Sequence, residues 1–183
     1  MNRRELLMGG ITLVAAAAMA SRAGAVSPGE ALIRRRIPAS GEEIPVIGLG
    51  TSRTFEVGES AAERAPLREV LESFFASGAR LIDTSPMYSS AEKVLGGLMT
   101  PDMHQRAFLA TKVWTRGARE GREQMTRSGE LLKTARLDLI QVHNLLDLET
   151  HLKTLREWKD AAVCVTSVSR TTRSAPNPSS SRC

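Results

Sequence analysis

Four side chains of unlike chemistry fall at matching places in a repeated pattern: Asp83, Tyr88, Lys112 and His143. A carboxylate, a phenol, an amine and an imidazole can together move a proton onto a carbonyl oxygen. A phenol is ordinarily a weak acid, titrating near pH ~10. A neighbouring ammonium favours the phenolate and so improves proton donation. Lys112 suits that part, with the carboxylate of Asp83 holding the ammonium. His143 suits a hydrogen bond to the substrate oxygen that fixes its direction. Singly, each residue has an ordinary structural explanation as a turn cap, a solvated charge or a packing group. Jointly they point to one site, and Tyr88 is the only tyrosine in the chain. A metal centre fits less well, because one His and one Asp with no second His nearby are a poor ligand set.

The elements that must position these residues follow from the apolar periodicity. Ile33–Pro38 and Ile44-Pro45 flank Ala39-Ser40-Gly41-Glu42 and read as a hairpin. Val46–Thr51 reads as a buried strand. Leu67, Val70, Leu71, Phe74 and Phe75 form one helical stripe, with Pro66 expected in the first turn and Gly78 just past the end. Ala79–Thr84 is a second strand. Ser89-Ser90-Ala91-Glu92 reads as a capping box that opens a helix with Ala91, Val94, Leu95 and Leu98 on one face. Ala107–Val113 is a third strand, 118–134 a polar helix, Leu137–His143 a fourth strand and 149–160 a last helix with Leu152, Leu155 and Trp158 inward.

Strands alternating with helices mean a parallel sheet, either an open doubly wound sheet or a barrel. A doubly wound nucleotide fold should carry G-x-G-x-x-G at its first strand–helix turn. Gly48-Leu49-Gly50-Thr51-Ser52-Arg53 has only the first two glycines, so the barrel is favoured. In a parallel barrel the C-terminal strand ends converge on one rim. Asp83, Lys112 and His143 end successive strands, and neighbouring strands lie about 4.8 Å apart, so their side chains can meet.

The chain has 183 residues and a formal net charge of +5. That length suits one domain but is short for a complete (β/α)8 barrel of about 250 residues. The charge sits at the two ends, in Arg3, Arg4 and Arg22 and again in Arg170, Arg173 and Arg182. The middle is near neutral, and Arg34-Arg35-Arg36 is its only basic run. Nucleic-acid binding is therefore not expected. Cys164 and Cys183 make neither a disulfide framework nor a zinc spacing.

Residues 1–25 read as a signal peptide. Arg3-Arg4 precedes leucines, an Ala-rich apolar stretch follows, and Ala23-Gly24-Ala25 is a small-x-small cleavage site. The arginine pair resembles a twin-arginine signal. The expectation is export through twin-arginine machinery to the periplasm, with no stable membrane span after cleavage. The alternative is retention at the inner membrane by an uncleaved signal. Residues 26–32 would then be a linker to a domain at 33–160.

Ile-Pro-Val-Ile-Gly-Leu-Gly-Thr (44–51), Leu-Ile-Asp-Thr-Ser-Pro-Met-Tyr (81–88), Ala-Thr-Lys-Val (110–113) and Leu-Asp-Leu-Ile-Gln-Val-His-Asn (137–144) resemble successive signatures of the aldo/keto reductases. The likeness implies a truncated (β/α)8 TIM barrel, about its first four β/α units with an N-terminal hairpin. It implies a catalytic Asp83–Tyr88–Lys112–His143 tetrad and reduction of aldehydes or ketones with NADPH. Gly50 and Thr51, with Asp83 and His143, would contact the cofactor.

After Ala161 that family would continue with a fifth strand of the type Gly-Arg-Val-Arg-Tyr-Ile-Gly-Val-Ser. Here the chain reads Ala162-Val163-Cys164-Val165-Thr166-Ser167-Val168-Ser169-Arg170. Loss of one base at codon 162 of a family-like gene accounts for this run. Residues 161–183 are therefore expected to be a non-native, disordered tail. The expectations are a carbonyl reductase or, alternatively, a non-catalytic truncated product or half-barrel that needs a partner chain.

Overall fold

The structure, a computed structural model, describes residues 31–161 and the backbone of 164–170. The expected signal peptide and the last part of the tail, Cys183 included, lie outside the described residues.

Strand β1 (Arg34–Arg36) pairs antiparallel with β2 (Glu43–Pro45), placing Arg35 opposite Ile44. The reversal is closed by the Ile37 N–H donating to the Glu42 carbonyl at 2.8 Å. This is the expected hairpin. Arg80 ties it to the wall, since its Nη2 donates to Glu42 Oε1 at 2.8 Å and to the Glu43 carbonyl at 2.7 Å.

Five strands form one parallel sheet in sequential order: β3 (Gly48–Gly50), β4 (Leu81–Asp83), β5 (Phe108–Val113), β6 (Leu137–His143) and β7 (Cys164–Arg170). Between them run α1 (Ala61–Ala76), α2 (Ala91–Leu98), α3 (Pro101–Arg106), α4 (Ala118–Leu132) and α5 (Leu148–Asp160). An order that never reverses has no topological switch point, so this is barrel wall and not a doubly wound sheet.

Alternation along each strand divides the side chains. Ile82, Leu109, Val113, Ile140 and Val142 enter the core shared with Leu71, Phe75, Val94, Leu95, Met125, Leu132 and Leu155 of the helices. Their neighbours Leu81, Asp83, Ala110, Lys112 and Gln141 face the other way. Helices α2 and α4 touch at Gly96, where a β-carbon would run into the Leu131 carbonyl and the Leu132 backbone. Among the described residues no helix is long and apolar enough to cross a membrane.

Four details differ from the sequence expectations. Helix α1 begins at Ala61, so Pro66 lies inside it. The stripe is narrower than read, with Leu67, Leu71 and Phe75 buried but Val70 41% exposed. The capping box does not form. Ser90 is the N-cap without a side-chain cap bond, its hydroxyl donating instead to the Val57 carbonyl at 2.7 Å, while Glu92 turns inward. Helix α3 was not foreseen; Thr100 caps it by accepting from the Met103 N–H at 3.2 Å, with Pro101 in its first turn.

A fifth difference corrects the fold boundary. Residues 164–170, expected to be disordered, run parallel to β6, with Leu137 opposite Cys164 and His143 opposite Arg170. The physical reason lies in the segment's own composition and in its neighbour. Val165, Thr166 and Val168 are β-branched and favour extended backbone. Strand β6 meanwhile offers a row of N–H and C=O groups that would otherwise be an open edge.

Candidate active site

Strand β4 ends at Asp83 and the chain turns at once. The Thr84 N–H still donates to the Ala110 carbonyl of β5 at 2.9 Å, which keeps the first loop residue in the sheet. The loop then closes on itself: the Tyr88 N–H donates to the Ser85 carbonyl at 3.1 Å and the Ala91 N–H to the Tyr88 carbonyl at 2.8 Å. Ser89, the residue after the tyrosine, adopts a left-handed conformation with φ 44°. Such conformations cost energy in a non-glycine residue and persist where surrounding contacts enforce them.

Lys112 rises from β5 into this corner and is 3% exposed. Its Nζ donates to Asp83 Oδ2 at 2.7 Å and to the Thr84 carbonyl at 2.8 Å. The same Nζ stands 5.1 Å from the centroid of the Tyr88 ring, within range of a cation–π attraction. Three of the four expected residues therefore converge. His143 ends β6 on the same face, two positions beyond Gln141, whose Nε2 donates to Asp83 Oδ1 at 2.7 Å. Its imidazole packs edge-on against Trp114, ring centroids 5.9 Å apart.

Gln141 was missed in the sequence, although its alternation with His143 on one strand face was there to be seen. Glu92 was read as part of a helix cap. It is instead a buried carboxylate that accepts from Thr111 Oγ1 at 2.7 Å and Ser128 Oγ at 3.1 Å. Burial pushes its pKa above the ordinary 4.5, and the two hydroxyls and the Lys112 charge pull it partly back. It sits behind β5, on the opposite side of the strand from Lys112.

A shallow cavity of about 320 Å³ opens on the inner face, lined by Gly48, Leu49, Gly50, Leu81, Asp83, Ala110, Leu139 and Gln141. Gly50 borders it with nothing within 4 Å of the place a β-carbon would occupy. Beside the open space at Gly50 stand the Asp83 carboxylate and the Gln141 amide, polar groups that a flat nicotinamide ring could meet. Thr51 does not share that role through its side chain. It is fully buried, and its hydroxyl donates to the Asp83 carbonyl at 3.3 Å and shares a hydrogen bond with the Thr84 hydroxyl at 2.9 Å, pinning β3 to β4. Among the described residues no cluster of three or more His, Cys, Asp or Glu side chains could hold a metal ion.

Known proteins share both the sequence and the fold. Methylglyoxal reductase YeaE of Escherichia coli is 33% identical over 115 residues, 60% of this chain and 39% of that protein. D-arabinose 1-dehydrogenase of Saccharomyces cerevisiae is 32% identical over 117 residues, 55% of this chain and 35% of that protein. The chain thus spans less than two-fifths of the length of these curated relatives. An aldo-keto reductase from Klebsiella pneumoniae, solved in complex with NADPH, superposes with a TM-score of 0.66 over 78% of this chain and 51% of its own, at 23% identity. The pattern of one family covers residues 46–162, from just before β3 to just past the end of α5. This chain belongs to the aldo/keto reductase family.

Proposed function

We propose that the chain carries the proton-delivering half of a nicotinamide-dependent carbonyl reductase acting on aldehydes or ketones. The observation that carries this reading is the Lys112 ammonium, bonded to Asp83 at 2.7 Å and 5.1 Å from the Tyr88 ring centroid. NADPH, when bound, supplies hydride to the carbonyl carbon. The chain's own residues do the rest. The Tyr88 hydroxyl gives its proton to the carbonyl oxygen, and the Lys112 charge favours the phenolate left behind. Asp83 holds Lys112, Gln141 holds Asp83, and His143 orients the oxygen by a hydrogen bond. Gly50, Asp83 and His143 would border the nicotinamide end of the cofactor.

The test is carbonyl-dependent oxidation of NADPH by the purified chain, with Tyr88→Phe as control. Methylglyoxal is the first substrate to try, since one relative bears its name. Turnover that survives Tyr88→Phe unchanged would sink the reading.

The open sheet supports a second reading, in which the chain binds NADPH weakly and needs a complementary half. Among the described residues strands β3 and β7 have no partner on their outer edges, and exposed edges favour association. A solution mass of one chain, together with tight NADPH binding by fluorescence titration, would exclude that reading. We further propose export by the twin-arginine route to the periplasm, from Arg3-Arg4 and Ala23-Gly24-Ala25. N-terminal sequencing of the mature chain should then begin at Val26.

A further inference from the structure

Trp114 follows β5 at the site end of the barrel and is 46% exposed. An indole so open is not held by packing alone, yet it meets His143 edge-on at an interplanar angle of 85°. What holds it is the backbone on which it stands. The Trp114 N–H donates to Gln124 Oε1 at 2.7 Å, and the Gly117 N–H donates to Asp147 Oδ2 at 2.7 Å. Between them, the Thr115 carbonyl pairs with His151 Nε2 at 2.8 Å. All three side chains reach the segment from α4 and the start of α5.

His151 is the unusual member. It is 0% exposed. A carbonyl oxygen can only accept, so Nε2 must carry the hydrogen. Nδ1 has no partner among the described residues and is turned toward Gly121 of α4, where a β-carbon would stand 2.5 Å from Cε1 and 2.6 Å from Nδ1 of the ring. A buried polar atom without a partner is unfavourable and calls for an explanation. A glycine vacates the space that the imidazole fills, and the one bond the ring makes fixes the Trp114 segment. Asp147 is held in turn, its carboxyl kept below the usual carboxylate range by the Gly117 N–H and then by the Thr150 hydroxyl.

We propose that His151, with Asp147 and Gln124, is a positioning residue that fixes the indole of Trp114 against His143 and thereby the orientation of the imidazole at the reaction rim. The effect on turnover rests on the carbonyl-reductase reading above; the effect on the indole does not.

The test uses the full chain carrying Trp158→Phe, which leaves Trp114 as the sole tryptophan. His151→Leu should raise acrylamide quenching of Trp114 about two-fold and lower its anisotropy, with the far-ultraviolet circular dichroism unchanged. His151→Gln, whose amide N–H can still reach the Thr115 carbonyl, should restore the parent signal. Asp147→Ala, which leaves the buried imidazole in place, should loosen the indole in the same direction even if His151→Leu does not fold. Quenching unchanged in a folded His151→Leu chain, or in Asp147→Ala, overturns the proposal. In turnover, KM for the carbonyl should rise about ten-fold in His151→Leu with kcat nearly constant. A fall in kcat at constant KM overturns it. A parent chain without turnover counts against the carbonyl-reductase reading alone, and the fluorescence then decides the positioning role.

Discussion

The Nζ of Lys112 and the Oδ2 of Asp83 lie 2.7 Å apart across neighbouring strands, with the lysine side chain 4% and the aspartate 33% exposed. The asymmetry decides what each substitution does. Asp83→Asn removes the countercharge from a cation that is almost fully enclosed, and such a cation is costly to leave uncompensated. Because Asp83 itself is one-third open to water, the loss should be about 2 kcal/mol, below that of a fully buried pair. Lys112→Met leaves the more exposed partner behind and should cost less stability, yet it removes the charge beside Tyr88. Carbonyl reduction should fall by about 100-fold or more in Lys112→Met. Urea melts and NADPH-oxidation rates on both variants check the opposite rankings.

Glu92 predicts a pH dependence with a definite sign. Its pKa is raised in the folded chain, first by burial, so the native state binds the proton more tightly than the unfolded chain. Stability is then greatest below the ordinary value of 4.5, falls as pH rises from there to the raised value, and is level above it. Glu92→Gln keeps the shape and two hydrogen-bonding atoms but does not titrate. Relative to wild type, Glu92→Gln should therefore gain stability as pH rises from 4.5 to the raised value, and no more above it. The buried carboxyl of Asp138, also raised chiefly by burial, is common to both chains and cancels in the difference. Parallel stability profiles for the two proteins would contradict the assignment.

The contact of α2 with α4 predicts an intolerance of small additions. A single methyl at Gly96 meets backbone atoms of Leu131 and Leu132, which cannot rotate away as a side chain could. Gly96→Ala gains helix propensity of about 1 kcal/mol. The forced separation of the helices should outweigh that, giving a net loss of about 1–2 kcal/mol. Thermal melts of Gly96→Ala beside Gly97→Ala make the comparison, because a β-carbon at Gly97 meets nothing within 4 Å. Gly97→Ala should be neutral or stabilising.

How much of this was readable from sequence depended on whether a local pattern fixed the answer. Leu137–His143 was bounded correctly because an apolar-rich run of seven residues, five of them buried, marks an inner strand. Asp83, Tyr88 and Lys112 were found because strand ends in a parallel barrel must converge, and the structure brings all three together. Glu92 misled because a capping box and a buried carboxylate have the same local spelling. Only Thr111 and Ser128, distant in sequence, distinguish them. Thr51 was placed by likeness at a cofactor edge, whereas its hydroxyl faces Thr84. Strand β7 was hidden because Ser/Thr-rich sequence reads as loop, and the partner that makes it a strand is β6. Gln141 lay in plain alternation with His143, but an amide carries no signature of its own until its partner is known.

That partner makes Gln141 the sharpest remaining test of the site. Asp83 uses one carboxylate oxygen for Lys112 and the other for the Gln141 amide, both at 2.7 Å. A carboxylate held at both oxygens cannot rotate, so Lys112 has one place to stand below Tyr88. Gln141→Leu keeps the volume and removes the second hold. The Lys112–Asp83 pair survives, but the ammonium is free to follow a rotating carboxylate away from the phenol. The expected result is a drop of about ten-fold in the rate of carbonyl reduction with little change in KM, since the residue acts on the proton donor and not on binding. Gln141→Glu goes further, placing a second negative charge beside Asp83 and drawing Lys112 toward β6, and should slow the reaction more than Gln141→Leu. Equal rates in both variants would mean that the amide only fills space.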